Sequence, residues 1–187
     1  MAKIKAAFID RDGTINNERD YVYRIDQFEL IPGVIEALQL LVKEGIKIYI
    51  ITNQAGIAKG YYTEEQFHSF NKFMLNYFEG EGVKIEKVLY CPHHPDGVIP
   101  QYTLNCNCRK PNTGLIEEIL ELGNIQPDET VLIGDKNSDI DAGYKMGITT
   151  YLVLTGYGME HMKNTKANFI KDDLLSAVKH ALNRETL

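Results

Sequence analysis

The chain has 187 residues, three cysteines and a formal net charge of −6, a size at which one domain buries a substantial core. The acidic balance argues against nucleic acid as the main partner, since phosphate backbones are bound chiefly by clustered Lys and Arg. No stretch of about 18 uncharged apolar residues occurs, and the start, MAKIKAAFID, runs into a strand pattern without a small-residue cleavage site; the expectation is one cytoplasmic domain over residues 1–187, monomeric and without a membrane partner.

In chain order, Ile4 to Ile9 reads as a first buried strand. Val34 to Lys43 reads as a helix, with Val34, Ile35, Leu38, Leu41 and Val42 at helical spacing and Gly45 placed to end it. Ile46 to Ile51 is a second strand. Thr63-Glu64-Glu65-Gln66 matches a capping box, and Phe67, Phe70, Phe73, Met74 and Tyr77 supply the apolar stripe of the helix it opens. Ile85 to Tyr90 is a third strand, followed by a Pro- and Cys-rich stretch to Pro111 without periodicity, as a functional or metal-stapled loop would be. Leu115 to Leu122, Val131 to Gly134, Asp139 to Met146, Thr150 to Leu154 and about Asp173 to Leu182 read as helix, strand, helix, strand and closing helix. Apolar strands alternating with helices predict an α/β fold, a doubly wound parallel sheet. Thr14 to Ile31 is too short and polar for a second domain and is expected as a small flap, so no large cap domain is foreseen.

Ligands of open α/β sheets bind beyond the carboxyl ends of the strands. The first strand ends in Asp10-Arg11-Asp12-Gly13-Thr14, and residues two apart at a strand end project to the same side. The second ends in Thr52-Asn53, a hydroxyl and an amide suited to phosphate oxygens, and the fourth in Gly134-Asp135, a third carboxylate. Arg109-Lys110 precedes the helix that leads into the fourth strand and can bring cations to the same crevice. Asp139 is either an acid behind a metal site or an ordinary partner for a helix dipole, and Asp141 is expected on the surface.

All three cysteines lie in one loop, which is poor arithmetic for a disulfide framework. Cys91-Pro92-His93-His94 and Cys106-Asn107-Cys108 give Cys-x-His, twelve intervening residues and Cys-x-Cys, two close pairs that can close a tetrahedral Zn²⁺ site. Cys91, His93, Cys106 and Cys108 are the favoured ligands, with His94 competing. Four protein ligands leave no open position, so such a metal shapes the loop and presents Arg109 and Lys110.

The order DRDGT, TN, RKP and GD resembles the haloacid dehalogenase-like phosphatase superfamily across nearly the whole chain, and its DxDGT element is specific when it follows a strand. Within that superfamily, DRDGTIN, TNQAGIAKG, CPHHP and CNCRKP look like the D-glycero-D-manno-heptose 1,7-bisphosphate 7-phosphatases, minimally capped, zinc-loop enzymes of bacterial surface-polysaccharide synthesis. The resemblance implies a Rossmann-like haloacid dehalogenase fold and removal of the 7-phosphate of a small phosphorylated sugar. It makes Asp10 the nucleophile, Asp12 the general acid and base, and Thr52 and Lys110 the holders of the transferring oxygens. Mg²⁺ would lie on Asp10, the backbone carbonyl of Asp12, and Asp135. Glu18, Arg19, Asp20 and Tyr21 of the flap, with Asn53, Gln54, Ala55, Arg109 and Lys136, are implied as substrate contacts. Asp12 must hold its proton well above the ordinary carboxyl value to act first as an acid. Lys59 in GIAKG either adds positive potential or is a surface lysine. The histidinol-phosphate phosphatase branch shares DRDGT, a TNQ element and a similar zinc loop, and a phospho-accepting signalling module also sets acids beside a lysine. A zinc-dependent interaction module is the remaining alternative.

Overall fold

β1 (Ala6–Ile9) is four apolar residues, AAFI, every one buried, as a parallel strand covered on both faces must be. In the computed structural model, which describes residues 3–183, β1 lies at the middle of a six-stranded parallel sheet. Of the domain expected over residues 1–187, residues 1, 2 and 184–187 lie outside those described. The other strands are β2 (Lys47–Asn53), β3 (Ile85–Cys91), β4 (Thr130–Gly134), β5 (Thr149–Val153) and β6 (Phe169–Lys171), in the order β3-β2-β1-β4-β5-β6. The winding therefore reverses at β1, whose neighbours are β2 and β4. A crevice opens at such a reversal, beyond the carboxyl ends.

The helices are α1 (Val34–Lys43), α2 (Ala55–Ala58), α3 (Glu64–Gly80), α4 (Gly114–Gly123), α5 (Asn137–Lys145), α6 (Gly158–His161) and α7 (Leu174–Ala181). Alternate residues of β1 face opposite layers. Ala7 and Ile9 pack with Leu38 and Leu41 of α1, Phe70 and Met74 of α3, and Val178 of α7. Ala6 and Phe8 pack with Ile116 and Ile119 of α4 and Ala142 of α5. The sheet is thus covered on both faces, as the doubly wound pattern predicts.

Several boundaries move. β1 begins at Ala6, leaving Ile4 outside the ladder, and β2 runs on to Asn53, past the expected end at Ile51. α5 opens at Asn137, ahead of Asp139, because Asp139 accepts from the backbone N–H of Lys136 and so caps the helix from within its first turn. β6 was not foreseen: it is three residues, half-exposed, at the sheet edge. The capping box of α3 forms as expected, with Gln66 N–H donating to Thr63 Oγ1 at 3.2 Å, but Phe78 and not Tyr77 completes the buried stripe, Tyr77 being 40 % exposed. The flap, residues 14–31, is held beyond the end of β1 by isolated bridges from Asn16 to Asp12 and to Leu30. The long loop after β3 is tied down by Glu64, which accepts from Tyr90 at 2.7 Å and from Tyr102 at 2.5 Å. No helix among the described residues is long and apolar enough to cross a membrane.

Candidate active site

Asp10 follows β1 directly and Asp135 follows β4, so the two carboxylates flank the point where the winding reverses. Lys110 enters from the long loop. Its ammonium donates to Asp10 Oδ1 at 2.7 Å and to the carbonyl of Ile51 at 2.6 Å, and lies 2.5 Å from Asp139 Oδ1. All four groups are buried. Burial works against the Lys110 ammonium, but the Asp10 and Asp139 carboxylates hold its pKa above the ordinary value. Burial pushes Asp10 up to about 6, with Lys110 pulling down and Asp139 adding to the rise. Asp135 goes up to about 8, through burial and the Asp10 and Asp139 charges.

Three buried acids within 4.8 Å of one another exceed the charge of one lysine. Asp135 Oδ1 is also buried without a hydrogen-bond partner among the described residues. Hard oxygen donors with surplus negative charge and a lone oxygen at a sheet edge fit Mg²⁺, so the residues present suit the cation expected from the sequence. Gly13 at φ 88° and Gly156 at φ 54° close round Asp135, where a Cβ on either would collide with its carboxylate. The role left open for Asp139 takes a definite shape: it holds Lys110 and caps α5.

The Asp12 carboxylate lines the same crevice but is turned onto protein donors. Arg11 meets it with two bonds, Nε to Oδ1 at 3.0 Å and Nη2 to Oδ2 at 2.7 Å, and Asn16 and Gln54 add one each at 3.0 Å. Burial pushes Asp12 up, yet the Arg11 charge and these hydrogen bonds outweigh it and hold the carboxyl below its ordinary value. The raised value expected from the chemistry is therefore absent in this state, and Arg11 is the reason. Arg11 itself is wholly buried, lying over the rings of Phe67 and Phe70 and donating to the carbonyl of Val22 in the flap.

Thr52 reaches the crevice from β2. Asn53 places its amide on the long loop, donating to the Lys110 carbonyl at 2.9 Å and accepting from the Lys110 N–H at 3.0 Å. The crevice encloses about 410 Å³, with Glu18, Asp20, Tyr21, Asn53, Gln54, Ala55, Arg109 and Lys136 among its lining. Arg19 is not brought in; it pairs with Glu29 on the surface. Lys136 is held between Glu18 at 3.2 Å and the face of Tyr157 at 4.5 Å. Asp20 and Tyr21 sit at φ 42° and 73°, a left-handed corner at the flap tip that side chains rarely adopt. Lys59 Nζ donates to Tyr21 Oη at 3.0 Å. Asp141 lies on the surface beside Lys166. Sequence reasoning did not single out Tyr62, Tyr157 or His161, which also line the crevice.

The four favoured metal ligands converge. Cys91 Sγ lies 3.5 Å from Cys106 Sγ, Cys106 Sγ 3.2 Å from Cys108 Sγ, and His93 Nδ1 3.2 Å from Cys108 Sγ and 3.8 Å from Cys91 Sγ. Bonds of about 2.3 Å to sulfur and about 2.0 Å to nitrogen put the ligand atoms of a tetrahedral centre about 3.5 Å to 3.8 Å apart; two of the four separations match that range and the two at 3.2 Å are tighter, so the group gathers close to the spacing such an ion needs. His94 is engaged elsewhere, its Nδ1 accepting from Asp96 N–H at 3.1 Å. Arg109 leaves this group with Nη1 donating to the carbonyl of His93 at 3.3 Å.

The comparisons agree with this geometry. A family model described as HAD-hydrolase-like matches residues 107–177. The D-glycero-alpha-D-manno-heptose-1,7-bisphosphate 7-phosphatase of Photorhabdus laumondii is 45 % identical over 83 % of this chain and 85 % of its own. The D-glycero-beta-D-manno-heptose-1,7-bisphosphate 7-phosphatase of Salmonella typhi is 38 % identical over 96 % and 98 %. Among solved structures, the D,D-heptose 1,7-bisphosphate phosphatase of B. bronchiseptica, complexed with magnesium and phosphate, superposes with a TM-score of 0.87 at 25 % identity, covering 96 % of this chain and 99 % of that one.

Proposed function

The chain belongs to the heptose-1,7-bisphosphate 7-phosphatase family of HAD-like hydrolases, and from that membership we propose that it removes the 7-phosphate of D-glycero-D-manno-heptose 1,7-bisphosphate through a phosphoryl group carried on Asp10. One observation carries the residue assignment. Asp10, at the end of the central strand, is met by the buried ammonium of Lys110, delivered from the loop that carries His93, Cys106 and Cys108 and leaves β3 at Cys91.

Asp10 attacks phosphorus in line, and the bond to the sugar oxygen breaks with its electron pair passing to that oxygen. The Asp12 carboxyl supplies the proton that the oxygen takes up. Water then attacks the aspartyl-phosphate, Asp12 accepts its proton, and Asp10 is restored as inorganic phosphate leaves. Asp12 must first take a proton, which the Arg11 bonds oppose, so the ionised form they clamp belongs to the state before the acid step. Two like charges at 4 Å repel by about 4 kcal/mol at an effective dielectric of 20, and Lys110 offsets this for Asp10 and the incoming phosphate. Thr52 holds a transferring oxygen beside Lys110. Asp10, Asp135 and the backbone carbonyl of Asp12 would hold Mg²⁺, which would supply the remaining positive charge.

Zinc on Cys91, His93, Cys106 and Cys108 shapes the loop and takes no part in the chemistry. Glu18, Asp20 and Tyr21 of the flap, Ala55, Arg109 and Lys136 are the surfaces offered to the sugar and its second phosphate, while Arg19 stays outside the crevice, paired with Glu29. A monomer working in the cytoplasm is part of this reading. The test is phosphate release from the α and β anomers of heptose 1,7-bisphosphate, from fructose 1,6-bisphosphate and from histidinol phosphate. Preference for a heptose bisphosphate supports the assignment, and better turnover of histidinol phosphate overturns it.

A further inference from the structure

Gln54 is 2 % exposed and spends its whole amide on protein. Nε2 donates to Asp12 Oδ2 at 3.0 Å and to Thr52 Oγ1 at 2.7 Å, while Oε1 accepts from Arg11 Nη2 at 3.3 Å and from the Tyr62 hydroxyl. A carboxamide has two N–H donors and two acceptor sites, so all four are occupied.

Which way round the amide lies decides what Asp12 meets. With Nε2 toward it, the carboxylate receives a hydrogen bond; with the amide reversed, oxygen would face carboxylate. The Tyr62 hydroxyl selects the first orientation because its proton needs an acceptor, and burial pushes its pKa up so the proton stays. Tyr62 is 4 % exposed and wedged between two elements. Residue 56 must be glycine for the ring to fit, since a Cβ there would overlap it. On the flap side Tyr23 stacks on the ring, centroids 4.7 Å apart and planes 12° apart.

We propose that Tyr62 and Gln54 are positioning residues for the proton transfer: Tyr62 orients the Gln54 carboxamide, and the carboxamide aligns both the Asp12 carboxyl and the Thr52 hydroxyl. Thr52 Oγ1 accepts from Gln54 and so keeps its own proton for a phosphate oxygen. The amide thereby joins the group that handles the leaving oxygen to one that holds the phosphoryl group. This inference rests on Asp12 being the proton donor and acceptor.

The experiment measures Tyr62→Phe and Asp12→Ala, singly and together, with Mg²⁺, on heptose 1,7-bisphosphate and on p-nitrophenyl phosphate. The sugar leaves as an alkoxide and needs a proton, whereas p-nitrophenolate departs without one. Tyr62→Phe is expected to lower kcat on the sugar ester about tenfold more than on p-nitrophenyl phosphate, with KM within about twofold, and to add nothing once Asp12 is alanine. Equal loss on both substrates, or full additivity with Asp12→Ala, overturns the positioning role. Because kcat/KM ends at phosphoryl transfer and leaves out the water step that both substrates share, an Asp12→Ala protein that loses kcat/KM equally on both overturns the assignment of Asp12 as the acid, and the positioning role with it. Gln54→Glu, nearly isosteric but without the N–H donors, is held to the same outcomes and replaces Tyr62→Phe should that variant fold poorly.

Discussion

The ammonium of Lys110 lies 2.7 Å from Oδ1 of Asp10, a residue 100 positions away in the chain. The same ammonium touches Asp139, so one cation serves the proposed nucleophile and the cap of α5. Lys110→Met leaves two buried acids facing each other, and turnover should fall at least about 10²-fold, the scale of losing one preorganised electrostatic partner. Steady-state kinetics with saturating Mg²⁺ checks it; a loss under about threefold would remove Lys110 from the mechanism.

Asp10→Asn should abolish turnover while the fold survives. It keeps the volume and trades a buried carboxylate, whose ionised form burial disfavours, for a neutral amide. Mass spectrometry of the trapped wild-type enzyme should find the phosphoryl group on Asp10. Finding it on another residue rules out the assignment.

In Mg²⁺-free protein, stability should decline as pH rises from about 4 to about 8. Asp10 and Asp135 hold their protons more tightly folded, at about 6 and about 8, than at the ordinary 3.8 of the unfolded chain. The unfolded state thus releases protons first, and folding loses ground until both carboxyls have ionised. Mg²⁺ should raise Tm more at pH 8 than at pH 5, since it binds the ionised acids. Thermal scans of the wild type and Asp135→Asn read this directly; the variant should show a flatter decline.

Metal analysis should find about one zinc per chain in protein purified without chelator. Cys106→Ser should lower zinc content and cut activity, because the loop that carries Arg109 and Lys110 loses its anchor. Zinc below about a tenth of an equivalent in the wild type would exclude the site.

Specificity should reside in the far end of the crevice. Charge-assisted contacts are worth about 1.5 to 3 kcal/mol, so two of them amount to a preference of about 10² to 10⁴ for a bisphosphate. Arg109→Ala should erode the preference for heptose 1,7-bisphosphate over histidinol phosphate more than it slows p-nitrophenyl phosphate. An unchanged ratio would move recognition of the second phosphate away from Arg109.

The sheet and the acids at its reversal point were legible because β1 and β4 are short apolar runs followed directly by aspartate, a pattern carried by neighbouring residues. The Cys and His pairs were legible for the same reason. His93 is the favoured ligand from the sequence with His94 competing, since spacing treats adjacent histidines nearly alike; in the fold His93 joins the cysteines and the His94 contact with Asp96 separates the two. Phe78 replaced Tyr77 because a phenol can face water where a phenyl ring gains by burial. β6 gave no signal, three half-exposed residues being too few to show a period. Tyr62, eight positions from the amide it meets, and Arg11, hidden between two aspartates, act through folded contacts that sequence spacing does not display.

Asn53 meets the backbone of Lys110 with paired bonds, donor to carbonyl and acceptor to N–H, a side chain imitating one more rung at the end of β2. The reach from strand to ammonium is thus gauged by a carboxamide and not by the tether between the two ligand pairs. Residues added to or trimmed from that stretch should therefore leave the lysine's aim unchanged, as long as Asn53 keeps both bonds.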